Sequence, residues 1–272
     1  MKVLTRAIAL LTTATVAALA GCAATSDAAP PPTADDGWVT ALDPTALPAM
    51  LPVGRFSGED VTALRDYLAT WEAAALSPEV YESSTLEEAV SIITEKTRGE
   101  IVERALAQWA SESPASVAWR FHQGSEFTDS PVFAWAFSFE ETDIEGSPAL
   151  KGTLSSRVQG PAASADATGD FAGLRNLSVT VANPSMVALD DPGAFLYRMS
   201  FYGTPVIPCG DGSMFVFETA TAEINSAQLQ TIIDPAPDQF VDWQATVDAL
   251  PTGSEGKITP EEIEAAKVAN CG

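Results

Sequence analysis

At Pro114 the period of the apolar residues changes, and that switch decides which class of fold the chain can adopt. Before it, in EDVTALRDYLATWEAAAL, Val61, Leu64, Leu68, Trp71 and Ala75 recur at steps of three and four. This spacing sets them on one face of a helix and leaves Asp60, Arg65, Asp66 and Glu72 for solvent. Thr85 with Glu88, and Thr97 with Glu100, have the spacing of capping boxes and open two further helices, TLEEAVSIIT and TRGEIVERALAQWA. After Pro114 the period is two. Candidate strands run over 117–122, 132–140, 150–159, 174–183, 195–202 and 214–222, parted by clusters of Gly, Pro, Asp and Asn. Most connections are too short for a crossover helix, so the sheet is expected to be antiparallel. The stretch PAASADATGD, from Pro161, has no apolar residue larger than alanine and reads as a loop or mobile flap. Asp238 caps a helix with Phe240, Trp243, Val247 and Leu250 on one face, and Thr259, Pro260 and Glu262 open a last one. The expected class is α+β: N-terminal helices packed on a curved antiparallel sheet of about six strands, then two C-terminal helices.

Ahead of this domain lies a leader. Residues 1–21 start basic, with Lys2 and Arg6, and continue from Ala7 to Ala20 in small, apolar and hydroxyl side chains. That is the pattern of a secretory signal, too short and alanine-rich to stay as a transmembrane anchor. Leu19-Ala20-Gly21-Cys22 resembles the lipobox of bacterial lipoproteins. The resemblance implies cleavage before Cys22, thioether lipidation of its sulfur and acylation of the new N-terminus with chains such as palmitate. It therefore implies a protein held by lipid on the extracytoplasmic face of the cell membrane, with the membrane as its first partner. Residues 22–36 read as a disordered tether and 37–58 as a lead-in broken by Pro44, Pro48 and Pro52. Residues 59–272 form the expected single α+β domain.

Charge narrows the partners. With Lys2 and Arg6 removed, the formal charge of −23 becomes −25. Such a surface repels nucleic acid and anionic headgroups, so no nucleic-acid partner is expected. Cysteine usage narrows the covalent frame. With Cys22 taken by lipid, Cys209 and Cys271 remain as the one intramolecular pair open to an exported chain, and a bridge would pin the C-terminal helix to the turn VIPCGDG.

Most familiar chemistries are excluded by the residues present. A single histidine, His122, rules out a multi-histidine metal site, and no G-x-S-x-G elbow or phosphate-binding glycine loop is present, so no cofactor and no metal is expected. In EETDIEG the acidic alternation of Glu141, Asp143 and Glu145 starts like a calcium loop, but the closing position is Gly152, which leaves a solvated hairpin turn.

The strongest remaining feature is aromatic. Phe133, Trp135, Phe137 and Phe139 fall on one face of one strand, Phe195, Tyr197 and Phe201 on one face of another, and Phe215 and Phe217 form a third file. These files either form the core beneath the helices or line a pocket there for a small apolar or glycan ligand, with Phe133, Trp135, Phe137, Phe139, Tyr197 and Phe201 as its walls. The element order over residues 59–223 resembles the cone-shaped α+β fold of the nuclear-transport-factor-two-like superfamily. The resemblance implies a pocket between sheet and helices, used for binding or for catalysis; the long lead-in and the two C-terminal helices depart from it. The expected function is a non-catalytic module that binds a ligand or an envelope protein. The alternative is a hydrolase- or isomerase-like enzyme built on His122 and a neighbouring carboxylate.

Overall fold

The computed structural model describes residues 47–97, 99–112, 114–165, 167–204, 206–217 and 260–271. The expected leader, Cys22, the expected tether, residues 37–46 of the lead-in and the helix expected from Asp238 lie outside the described residues. The fold is α+β, with helices first and a mostly antiparallel meander after them.

Helix α1, Gly58–Ala75, starts at a capping box whose third helical residue is an aspartate rather than the usual glutamate or glutamine: Ser57 accepts from the Asp60 amide while the Asp60 carboxylate accepts from Ser57. Its apolar face is as the spacing predicts, with Val61, Leu64, Leu68, Trp71 and Ala75 fully buried. Each large side chain among them contributes about 1.5–3 kcal/mol by leaving water. Two of the residues expected in solvent are not there. Arg65 is buried, with its guanidinium on the Pro48 carbonyl and on Asp66, and Glu72 is 0% exposed. Helix α2, Pro78–Tyr81, is one turn. Helix α3, Leu86–Thr97, is capped by Thr85, which accepts from the Glu88 amide, while Glu88 reaches back to Ser84. Helix α4, Glu100–Glu112, does not use Thr97, whose hydroxyl donates backwards to the Ile93 carbonyl. Its first amides, on Glu100 and Ile101, donate instead to the Asp190 carboxylate, which arrives from far along the chain. A final turn, α5, covers Pro114–Val117. Val117 belongs to this turn, so the strand expected over 117–122 is cut back to Arg120–Phe121.

Among the described residues, eight strands follow in two sheets. The larger holds β2 (Glu126–Phe127), β3 (Val132–Ile144), β4 (Ser147–Ala163), β5 (Thr168–Val181) and β6 (Phe195–Thr204), all antiparallel, with β2 and β3 sharing one edge of β4. The smaller holds β1 (Arg120–Phe121), β7 (Val206–Pro208) and β8 (Ser213–Val216), and β1 lies parallel to β8. The acidic stretch at Glu141–Gly146 is a hairpin with Glu145 and Gly146 both at positive φ. The loop expected from Pro161 is corrected. It is the second hairpin of the meander, because Ala162 packs beside Phe171 and Phe127, rings large enough to cover a small residue. Pro161 sits where the neighbouring edge passes from β2 to β3, a break in the ladder that tolerates a missing donor.

Register decides what the aromatic files do. Phe133, Trp135, Phe137 and Phe139 pair with Val158, Ser156, Leu154 and Gly152, which pair with Gly173, Arg175, Leu177 and Val179, so all twelve share one face. That face receives α1. At Gly152 an added Cβ would meet Leu68 at 2.9 Å and Leu64 at 3.0 Å, so the helix crosses the sheet where there is no side chain. One polar pair lies in this interface. Arg175, 0% exposed, donates to the Glu72 carboxylate, to the Ser116 and Val117 carbonyls at 3.1 Å each and to Met199 Sδ at 3.5 Å.

At the far end of the chain, α6 (Pro260–Asn270) packs Ile263 and Ala266 on Ile207, Phe215 and Cys209, and a disulfide joins Cys209 to Cys271 with a Cα separation of 5.6 Å.

Candidate functional site

The aromatic files go into packing. Trp135 belongs to the main core at 8% exposure, and Phe133, Phe137, Phe139 and Tyr197 pack against it. Phe133 stacks on Trp135 with centroids 5.8 Å apart, and Phe137 stacks on Phe139. The Tyr197 hydroxyl donates to Gln108 Oε1 at 2.8 Å, and its ring meets Trp109 edge-on. Phe201 pairs with Arg175 in register; its side chain lies outside the described residues. Of the six residues expected to wall a pocket, Tyr197 lines a shallow cleft of about 410 Å³ beside Arg104 and Asp190. Phe133, Trp135, Phe137 and Phe139 line neither that cleft nor the larger one at the small sheet.

The larger cleft has a volume of about 810 Å³. Its wall is set by β1 and β8: the His122 amide donates to the Met214 carbonyl at 2.6 Å, and the Ser125 amide to the His122 carbonyl at 2.9 Å. The turn after β7 closes when the Cys209 amide donates to the Ser213 carbonyl at 2.7 Å. Gly212 makes this turn at φ +79°, where an added Cβ would strike Pro114 at 2.5 Å. That contact seats the turn on α5. On the floor, Phe121 and Phe127 meet edge to face at 4.8 Å, and Tyr81 meets Phe127 at 5.7 Å. Around them stand Glu82, Glu126, Asp129 and Asp211, with hydroxyls from Ser84 and Ser130 and the amide of Gln123.

His122 lies in this wall with a relay beside it. Its Nδ1 is 2.9 Å from Ser213 Oγ, and Ser213 Oγ donates to Asp211 Oδ1 at 2.6 Å. A hydroxyl has one proton. Given to Asp211, it leaves Oγ to accept from Nδ1–H, so the neutral imidazole keeps its lone pair on Nε2. The serine therefore stands between histidine and aspartate, and its proton points away from the histidine. In an activated nucleophile the histidine stands in the middle and draws the serine proton.

Asp211 is held from several sides. Burial raises its carboxyl, but the Ser213 hydroxyl and amide and the Arg120 guanidinium outweigh burial and keep it below the usual carboxylate range. A folded value below the unfolded one means that the stabilisation is present above the ordinary aspartate range near ~4 and is lost as pH falls through the lowered folded value. Urea titrations across pH are expected to show Asp211→Asn less stable than the parent at neutral pH, with the two curves converging in acid; parallel curves would mean that the carboxylate does not feel its neighbours.

No protein-family model, curated protein or solved structure matches the chain. Among the described residues no helix is long and apolar enough to cross a membrane.

Proposed function

We propose that the protein is a lipid-anchored, extracytoplasmic binding module whose site is the His122 cleft, and that its ligand is hydroxyl-rich, of glycan type. The observation that carries the reading is the mixture in that wall: the edge-to-face rings of Tyr81, Phe121 and Phe127 beside the acceptors Glu82, Glu126, Asp129 and Asp211. A sugar offers apolar C–H faces to rings and hydroxyl donors to carboxylates, whereas an anionic ligand would be repelled by the same four acids. The direction of the Ser213 proton speaks for binding rather than nucleophilic catalysis. The anchor rests on Leu19–Cys22 and the charged start of the leader.

The test is a titration of the full chain, purified from bacterial membranes, with a panel of neutral tetrasaccharides followed by amide and aromatic NMR shifts. Saturable shifts at Phe121, His122 and Phe127, weakened by Glu126→Gln and Asp129→Asn, are expected. Absence of saturable shifts across the panel, or recovery of the chain in the soluble rather than the membrane fraction, would overturn the corresponding half of the reading.

A further inference from the structure

The disulfide stands beside the histidine of the cleft. A ring nitrogen of His122, Cys209 Sγ and a carboxylate oxygen of Asp211 all lie within 4.8 Å of one another. While Cys209 is bonded to Cys271, its sulfur has no thiolate to offer and only two donors remain. We propose that reduction of the Cys209–Cys271 bridge turns this corner into a zinc(II) site of thiolate, imidazole and carboxylate, with the fourth position open to the cleft.

The donor set is one that zinc takes, and three protein ligands with an open position is an arrangement that it adopts. A tetrahedral ion with bonds of about 2.0–2.3 Å needs donors roughly 3.5 Å apart. The three groups reach that separation by small side-chain rotations, because Asp211 is exposed and His122 half-buried; Cys209 is the fixed member. Their backbone placement does not depend on the bridge. His122 is held by its amide on Met214, and Cys209 and Asp211 by the turn that Cys209 and Ser213 close. Cutting the bridge frees α6, not the ligands. An outer layer is also in place: Ser213 Oγ spans His122 Nδ1 and Asp211 Oδ1, and Arg120 holds Asp211 Oδ2 at 3.3 Å. The Arg120 charge opposes a cation, and Glu82, Glu126 and Asp129 in the same cleft offset it.

The switch balances with a dithiol reductant. One thiolate of the reductant attacks the half-buried Cys271 Sγ, the S–S bond breaks, and Cys209 leaves as a thiolate. The second thiol of the reductant then releases Cys271 and departs with its partner as a disulfide. Two electrons pass to the protein; the two thiol protons go to the Cys271 sulfur and, until zinc displaces it, to Cys209.

Cobalt(II) reads the site directly. In a Cys22→Ala background the remaining thiols are Cys209 and Cys271. Full chain with Cys271→Ala, and separately the phosphine-reduced chain, is expected to take cobalt(II) with a thiolate-to-metal charge-transfer band and tetrahedral visible bands that zinc abolishes. The oxidised chain, Cys209→Ala/Cys271→Ala and His122→Ala/Cys271→Ala are expected to lack them. The proposal is overturned if both bridge-free forms keep their far-UV circular dichroism without the bands, if the bands persist without His122 or Cys209, or if both bridge-free forms lose their fold.

Discussion

Arg175→Met is expected to lower the unfolding free energy by about 3–5 kcal/mol, because it leaves the Glu72 carboxylate in the core without its cation. Both side chains are fully buried, so solvent cannot replace the missing partner. Glu72 Oε1 already has no hydrogen-bond partner among the described residues, which leaves nothing in reserve. Removing both charges should cost far less: Glu72→Leu/Arg175→Met is expected to recover most of the loss, since apolar groups of similar volume replace a buried ion pair at little cost. Urea titrations of the two single variants and the double variant close the cycle. A loss below about 1 kcal/mol in Arg175→Met, the range of exposed pairs, would show that water reaches Glu72. The variant should also disturb the cleft, because Arg175 holds the Ser116 and Val117 carbonyls of the turn that leads into β1 and His122.

Removing the bridge is expected to cost about 4 kcal/mol, the chain-entropy estimate for a closed loop of this length, which is set here by a separation of 62 residues. In a domain of this size that corresponds to a fall of roughly 10 °C in Tm. Cys209→Ser/Cys271→Ser and the chemically reduced parent should melt together, as both release the same constraint. The bridge closes only the small cluster of Ile207, Phe215, Ile263 and Ala266, whereas the main core of α1 and the meander lies outside that cluster. A change in Tm of only a degree or two would mean that α6 stays docked by its apolar face alone.

How much of this was legible depends on the range over which each interaction acts. The apolar face of α1 was readable because residues three and four apart report on one another within the helix. So was the hairpin at Glu145-Gly146, a local matter of turn chemistry. Glu72 was not: its side-chain type says solvent, and only Arg175, 103 residues away, makes its burial tolerable. The Asp190 cap on α4 failed in the same way, with Thr97 offering the right spacing and a distant carboxylate taking the place. The hairpin around Pro161 was hidden by small residues whose burial is set by Phe127 and Phe171 across the sheet. For the site, Cys209 and Cys271 stand out as the cysteines left once Cys22 is set apart, and His122 as the single histidine. Asp211 and Ser213 carry no motif and acquire a role only when β8 lies alongside β1.

That parallel pairing also sets an order in time. A chain that emerges from its N-terminus can complete α1 and the meander from β2 to β6 while β1 still has nothing to pair with. The residues that face His122 arrive 91 positions later. Contacts of such separation form late, after the loop between them has been ordered by its own strands. The β1–β8 wall of the cleft thus forms only once the chain has been made as far as β8, which ends at Val216. A chain stopped or clipped before β8 would have the strands of the larger sheet and yet lack the strand that carries Ser213 and Met214 to His122.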